Sequence, residues 1–281
     1  MADQPSPTER AALAIAQSVG AHALQTFVVL LVLLLVAVTL LAWSADRVAQ
    51  RRGERPRHPW ARLIVGAGLG FALIVGAALM FAAIADEVVE GGALQRVDQA
   101  FMDEVQRGTP ATVREGFQLI TRLGDPPALA ALWVVGALVL WWRGERVLAI
   151  AFSAAIAGNA LLNPALKLVF ERVRPLDAAG LPLAPGFSFP SGHSSSAVVG
   201  YGMLAYVLLR TLPRAWHLPA VLAASAIAFS VGASRVFVQA HFATDVLAGF
   251  ASGSAWLVTC IVSAELALGW RRGWGRGPRA Q

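Results

Sequence analysis

The sequence predicts an all-α, polytopic transmembrane helical bundle: a six-helix core preceded by one extra N-terminal span. Three observations carry this. Hydrophobic residues make up 57% of the 281 positions and charged residues only 14%. The mean hydropathy is +0.60. The apolar residues are also gathered into long blocks rather than spread at amphipathic spacing. A soluble domain of this size carries about 25% charged residues. At about 1.5 Å per residue, a block of about 20 apolar residues reaches across a hydrocarbon core about 30 Å thick.

In chain order, residues 1–23 are polar and then mixed, with Pro5 and Pro7 near the start, and the sequence gives them no role. Apolar blocks follow at about 24–43, 63–85, 128–142, 147–166, 194–209, 218–233 and 246–268. The first is too long for the apolar region of a signal peptide, and its positive charge comes after it rather than before, so it reads as a retained span. That predicts seven spans, or six if the first is removed. The blocks at 128–142, 194–209 and 218–233 are short, and their helices are expected to take in flanking polar residues. The organisation expected is an N-terminal segment with the extra span and a basic loop over 1–62, a core over 63–268, and a basic tail over 269–281.

Arginine placement orients the bundle. Arg47, Arg51, Arg52, Arg55, Arg57 and Arg62 lie between the first two blocks. Arg143 and Arg146, then Arg210 and Arg214, lie in later connections, and Arg271, Arg272, Arg276 and Arg279 lie in the tail. Seven spans put all four segments on one side, assigned to the cytoplasm. The loop at 86–125 then lies outside, and its eight acidic residues against four arginines agree. Within it, Leu94, Val97, Phe101 and Val105 share one helical face, and Val113, Phe117 and Ile120 share another. Gly108-Thr109-Pro110 separates them, with Thr109 expected as N-cap and Pro110 as first helical residue.

The net charge of +6 does not point to nucleic acid, because the basic residues sit in short loops between apolar blocks. Cys260 is the single cysteine, so no intrachain disulfide forms, and a thiolate metal site is not expected. Lys167 is the only lysine among 23 basic residues.

Three polar clusters interrupt the apolar pattern: Lys167 to Pro175, Pro190-Ser191-Gly192-His193, and Ser234 to Asp245. Counting spans puts all three outside, where the arginine bias disfavours Lys167, Arg172, Arg174 and Arg235. A lone cation at a span end is usually a snorkelling anchor. Four of them beside two histidines predict an anion site. Guanidinium forks match phosphoryl oxygens, and an ammonium adds a compact charge. The helix opened by Ser191 and Gly192 would aim backbone amides and a hydroxyl at the same anion. His241 and Asp245 are four residues apart, which on a helix puts them on one face, so the carboxylate can hold one ring nitrogen and free the other. His241 is then a candidate nucleophile or base, with His193 the opposing acid. The same groups could ligate zinc, but the neighbouring cations repel a dication, and no H-E-x-x-H or acidic cluster is present.

At these residues the chain closely resembles the type 2 phosphatidic acid phosphatase family, whose signature is K-x-x-x-x-x-x-R-P, then P-S-G-H, then S-R-x-x-x-x-x-H-x-x-x-D. All three parts occur in order within 167–249. The resemblance implies that His241 attacks phosphorus and forms a phosphohistidine, with Asp245 orienting it. It implies that His193 protonates the leaving oxygen and then activates water. Lys167, Arg174 and Arg235 would hold phosphoryl oxygens, Ser191 and Gly192 would add donors, and Arg172 would be an accessory contact. It further implies no cofactor and no metal, a lipid phosphate or diphosphate substrate such as phosphatidic acid, phosphatidylglycerol phosphate or polyprenyl diphosphate, and an active site at the membrane boundary, which the count of spans puts on the outer face of the cell membrane. The expected partners are the bilayer and its phosphorylated lipids, with no nucleic acid. The alternatives are phosphotransfer to another lipid or a sugar, and a non-catalytic lipid- or anion-binding protein. The block at 24–43 departs from the family's usual six spans.

Overall fold

The computed structural model describes residues 6–51, 59–175 and 185–274. Among these there are ten α-helices, two single 3-10 turns and no strand. The helices are α1 (Pro7–Ala21), α2 (Ala23–Arg51), α3 (Pro59–Glu90), α4 (Ala93–Gly108), α5 (Ala111–Thr121), α6 (Pro126–Trp142), α7 (Arg146–Phe170), α8 (Gly192–Thr211), α9 (His217–Phe237) and α10 (Ala243–Trp274). Arg52, Arg55, Arg57, Arg276 and Arg279, which contribute to the expected orientation, lie outside the described residues.

Among the described residues, five segments are long and apolar enough to cross a membrane: Ala23–Ser44, Gly68–Glu90, Arg146–Phe170, Arg214–Phe237 and Ala243–Trp270. The pair Ala111–Gly124 and Pro126–Trp142, bent by 41°, adds a sixth. Length and composition thus mark five or six of the seven expected spans among the described residues. The block at 128–142 forms α6, whose 17 residues rise only about 25 Å. The block at 194–209 lies within α8, whose first turn is Gly192-His193-Ser194-Ser195-Ser196. This helix is walled by α7, α9 and α10, so its polar residues meet protein rather than lipid. The chain is a multi-pass membrane protein, with α2 packed on α9 and α3 on α10 around this centre.

The outer loop folds as the pattern requires, with a one-residue shift. Thr109 closes α4, and Pro110 occupies the N-cap position of α5 rather than its first turn. Met102, Val105 and Phe117 are buried with Phe237 and Phe242, and Phe117 stacks on Phe237 at 4.0 Å between centroids. The N-terminal segment, which the sequence left without a role, forms α1. It packs on α4, with Arg96 Nη2 2.5 Å from Glu9 Oε1 and Gly20 against the Phe101 carbonyl.

Candidate active site

The C-terminal ends of α7 and α9 and the N-terminal ends of α8 and α10 meet at one end of the bundle. Alternating helix direction makes this possible, because each motif lies next to a span end. Glu171 closes α7 in the left-handed conformation (φ 45°), turning the chain so that Arg172 and Arg174 run back across the bundle end. Phe170, Phe189 and Phe81 pack ring on ring, which fastens the segment after α7 and the segment before α8 to α3. Lys167 Nζ donates to the Phe187 carbonyl at 2.8 Å.

The second and third motifs are joined by backbone. The Ser191 amide donates to the Asp245 carbonyl at 2.9 Å. Ser191 caps α8, accepting from the Ser194 amide at 3.4 Å and from the Ser194 hydroxyl at 2.9 Å. The first amides of α8 have no partner within their own helix. A Cβ on Gly192 would lie 2.9 Å from Asn163 Oδ1, so a larger residue here would have to displace the Asn163 side chain of α7. Asn163 Nδ2 donates to the Pro190 carbonyl at 3.5 Å and the Ser195 hydroxyl at 3.3 Å.

His241 is 2% exposed and lies in the α9–α10 connection, two residues before α10 begins. The helical i, i+4 geometry expected for His241 and Asp245 is therefore corrected. Asp245 sits in the first turn of α10, and its Oδ2 accepts from the Phe242 amide at 3.0 Å, the reach-back of a capping box. The same Oδ2 lies 3.4 Å from His241 Nδ1, too poorly aligned for a formed hydrogen bond. On the other side of the ring, Arg174 Nη1 is 3.3 Å from Nε2 and donates to the Ala240 carbonyl at 2.6 Å. The imidazole thus stands between a carboxylate and a guanidinium.

Burial holds the His241 ring down to about 4; Asp245 opposes this, and Arg174 and Arg235 reinforce it. The ring is neutral at neutral pH, as a nucleophile requires. Burial also lowers the Arg174 guanidinium, with Asp245 opposing. The unfolded chain protonates this histidine near about 6.5. The ring therefore costs no stability above that value, and stability falls as pH drops from there towards about 4. The 15N-imidazole titration of His241 in detergent should show a midpoint near 4, moving upward in Arg174→Gln as a repelling charge is removed. A midpoint near an ordinary histidine's, unmoved by that substitution, would contradict this reading.

His193 Nε2 lies 2.9 Å from Asp125 Oδ1. Asp125 opens α6 without capping it through its side chain, because that side chain is turned to the histidine. Arg235 Nη1 donates to Thr121 Oγ1 at 2.7 Å. Among the described residues, Arg235 Nε and His241 Nδ1 are two of the three buried side-chain polar atoms without a hydrogen-bond partner. Arg172, expected as an accessory contact, is directed to carboxylates. Its Nη1 is 2.6 Å from Asp245 Oδ1 and its Nη2 2.8 Å from Asp98 Oδ2, so its guanidinium is taken up by carboxylates behind His241. Among the described residues no group of three His, Cys, Asp or Glu side chains converges as a metal site.

Four residues here were not singled out in the sequence: Asp98, Thr121, Asp125 and Thr244. Asp98 left a readable trace, a carboxylate between Val97 and Phe101 on the apolar side of α4. Asp125 reads as an ordinary helix start before Pro126, and Thr121 and Thr244 carry no signal of their own.

Residues 147–267 match the PAP2 superfamily. The chain is 38% identical over 176 residues to phosphatidylglycerophosphatase B of Bacillus subtilis (strain 168), an alignment spanning 60% of this chain and 78% of that protein. The chain belongs to the PAP2 superfamily. Lipid A 1-phosphatase of Rhizobium johnstonii is 33% identical over 188 residues, 57% of this chain and 71% of that protein. The crystal structure of a transmembrane PAP2 type phosphatidylglycerolphosphate phosphatase from Bacillus subtilis superposes with a TM-score of 0.63 at 34% identity, covering 69% of this chain and 96% of that one. Like its PAP2 relatives, the chain is a membrane-embedded phosphoric ester hydrolase.

Proposed function

We propose that this PAP2 protein removes the terminal phosphate from a phosphorylated membrane lipid at the outer face of the cell membrane, by way of a phosphohistidine on His241. The observation that carries this is the setting of the His241 ring, with Nδ1 towards Asp245 and Nε2 beside Arg174. Nε2 attacks phosphorus, a P–N bond forms, and the P–O bond to the lipid breaks. His193 gives its proton to the departing oxygen, and Asp125 orients that ring. His193 then takes a proton from water as the water attacks phosphorus and the P–N bond breaks, releasing phosphate and restoring His241. Lys167, Arg174 and Arg235 hold the phosphoryl oxygens as charge develops on them, and the Ser191 hydroxyl and the Gly192 amide at the start of α8 add donors. The core over 63–268 carries this chemistry, with 1–62 and 269–281 outside it.

The relatives named for phosphatidylglycerophosphate and lipid A 1-phosphate support a lipid substrate. The outer face is supported by Arg143, Arg146, Arg210 and Arg214, which lie at the α6–α7 and α8–α9 connections, at the bundle end opposite the site. The test is phosphate release from purified phosphatidic acid, phosphatidylglycerol phosphate and a polyprenyl diphosphate, with EDTA present and absent. Release from at least one lipid, unchanged by EDTA, is expected, as is activity of intact cells on an impermeant short-chain lipid phosphate. Abolition by EDTA would overturn the metal-free mechanism. Label passing to an added lipid or sugar instead of water would make the protein a phosphotransferase. Activity only after cell lysis would reverse the sidedness.

A further inference from the structure

Asp98 lies outside all three signature motifs, on α4, and is 4% exposed. Its Oδ2 accepts from Arg172 Nη2 at 2.8 Å and, at very short range, from the Thr244 hydroxyl. Arg172 Nη1 in turn donates to Thr244 Oγ1 at 2.8 Å and to Asp245 Oδ1 at 2.6 Å. The guanidinium also lies over the Phe242 ring, 4.4 Å from its centroid. Arg172 is thereby fixed on every side, and its charge is divided between two carboxylates.

That division has a consequence for His241. A guanidinium facing one carboxylate takes it bidentately, through both nitrogens of its fork. Such a grip would neutralise Asp245 and draw it from His241 Nδ1, already 3.4 Å away. With Nη2 occupied by Asp98, only Nη1 reaches Asp245, whose Oδ2 stays turned to Nδ1 and the Phe242 amide. A salt bridge built for stability alone gains little from a second buried carboxylate, since each buried charge costs several kcal/mol to desolvate.

We propose that Asp98 is a positioning residue for the phosphatase reaction, acting through Arg172 and Thr244 to keep Asp245 Oδ2 facing His241 Nδ1. The proposal rests on His241 being the nucleophile. It makes α4, the amphipathic helix beside the membrane, part of the catalytic apparatus.

The test is a double-mutant cycle of Asp98→Asn and Arg172→Gln in the full-length protein, measured on whichever lipid phosphate it turns over best. Asp98→Asn is expected to lower kcat about 10- to 100-fold, the scale of a small misplacement of a reacting group, with KM within about 2-fold. Acid-labile phosphohistidine should still form, but more slowly. In the Arg172→Gln background, Asp98→Asn should add less than about 2-fold, because its route to His241 is already gone. Thr244→Val, which keeps every charge, should give a smaller loss confined to kcat, and it provides the reading if Asp98→Asn fails to fold. Unchanged kcat in Asp98→Asn, a rise in KM alone, or the same fold-loss in both backgrounds would each overturn the proposal. His241→Ala, run in parallel, separates the two readings: persistent phosphohistidine there would refute the nucleophile itself.

Discussion

His241→Ala is expected to abolish lipid phosphate hydrolysis, with kcat down at least about 10⁴-fold, the scale seen when the nucleophile of a covalent mechanism is removed. The fold should survive, because the ring makes no formed hydrogen bond to Asp245 and the connection is held by backbone bonds from Ala240 and His241 to the Arg235 carbonyl. Quenching a reaction with 32P-labelled lipid phosphate in alkali should leave label on the native chain and none on the mutant, since phosphohistidine is stable to base and lost in acid. His193→Ala should differ in kind: with its proton donor gone, labelling slows, and whatever intermediate forms is hydrolysed slowly because no base activates water. Label that persists on His241→Ala would remove the central residue from the mechanism.

The second large effect concerns packing. Gly249 on α10 faces the start of α8, where an added Cβ would stand 2.6 Å from the Ser191 carbonyl oxygen and 2.8 Å from Ser194 Cβ. Neither neighbour can yield cheaply: one is backbone, and the other belongs to the first turn of a buried helix. Gly249→Val should therefore destabilise the protein by about 3 kcal/mol or more, at the upper end of overpacking costs. It should also part the Ser191 amide from the Asp245 carbonyl, the bond that ties the second motif to the third. Thermal unfolding in detergent should show a clear fall in midpoint, and at a temperature where the variant is folded, kcat should fall with it. Gly68→Ala, where a Cβ would meet nothing within 4 Å, is the control and should leave the midpoint unchanged. A Gly249→Val protein with native stability would contradict close packing of α8 against α10 at this point.

Much of the candidate site is legible in the sequence. Lys167, Arg174, Ser191, Gly192, Arg235, His193, His241 and Asp245 stood out because polar residues at the ends of apolar blocks are costly and need a local reason. Periodicity also gave the two outer helices, since Leu94 to Val105 and Val113 to Ile120 repeat at helical spacing. The connections were harder to read. Whether His241 lies on a helix or before one depends on where α10 nucleates, and one shifted turn changes which atoms of Asp245 it meets.

What the sequence alone determined is the class of protein and the candidate groups for its chemistry. Block length against bilayer thickness selects spans, and the spacing of charged and polar residues along the chain is itself the motif. What only the tertiary structure decided is pairing between distant residues: Asp98 with Arg172, Asp125 with His193, Thr121 with Arg235, and α1 with α4. These pairs are separated by up to 114 residues, and apart from the place of Asp98 on the apolar side of α4, no period, run or neighbour along the chain marks them. The physical reason is that hydropathy and helical repeat act along the chain. Hydrogen bonds between helices depend on rotation and depth, which packing alone sets.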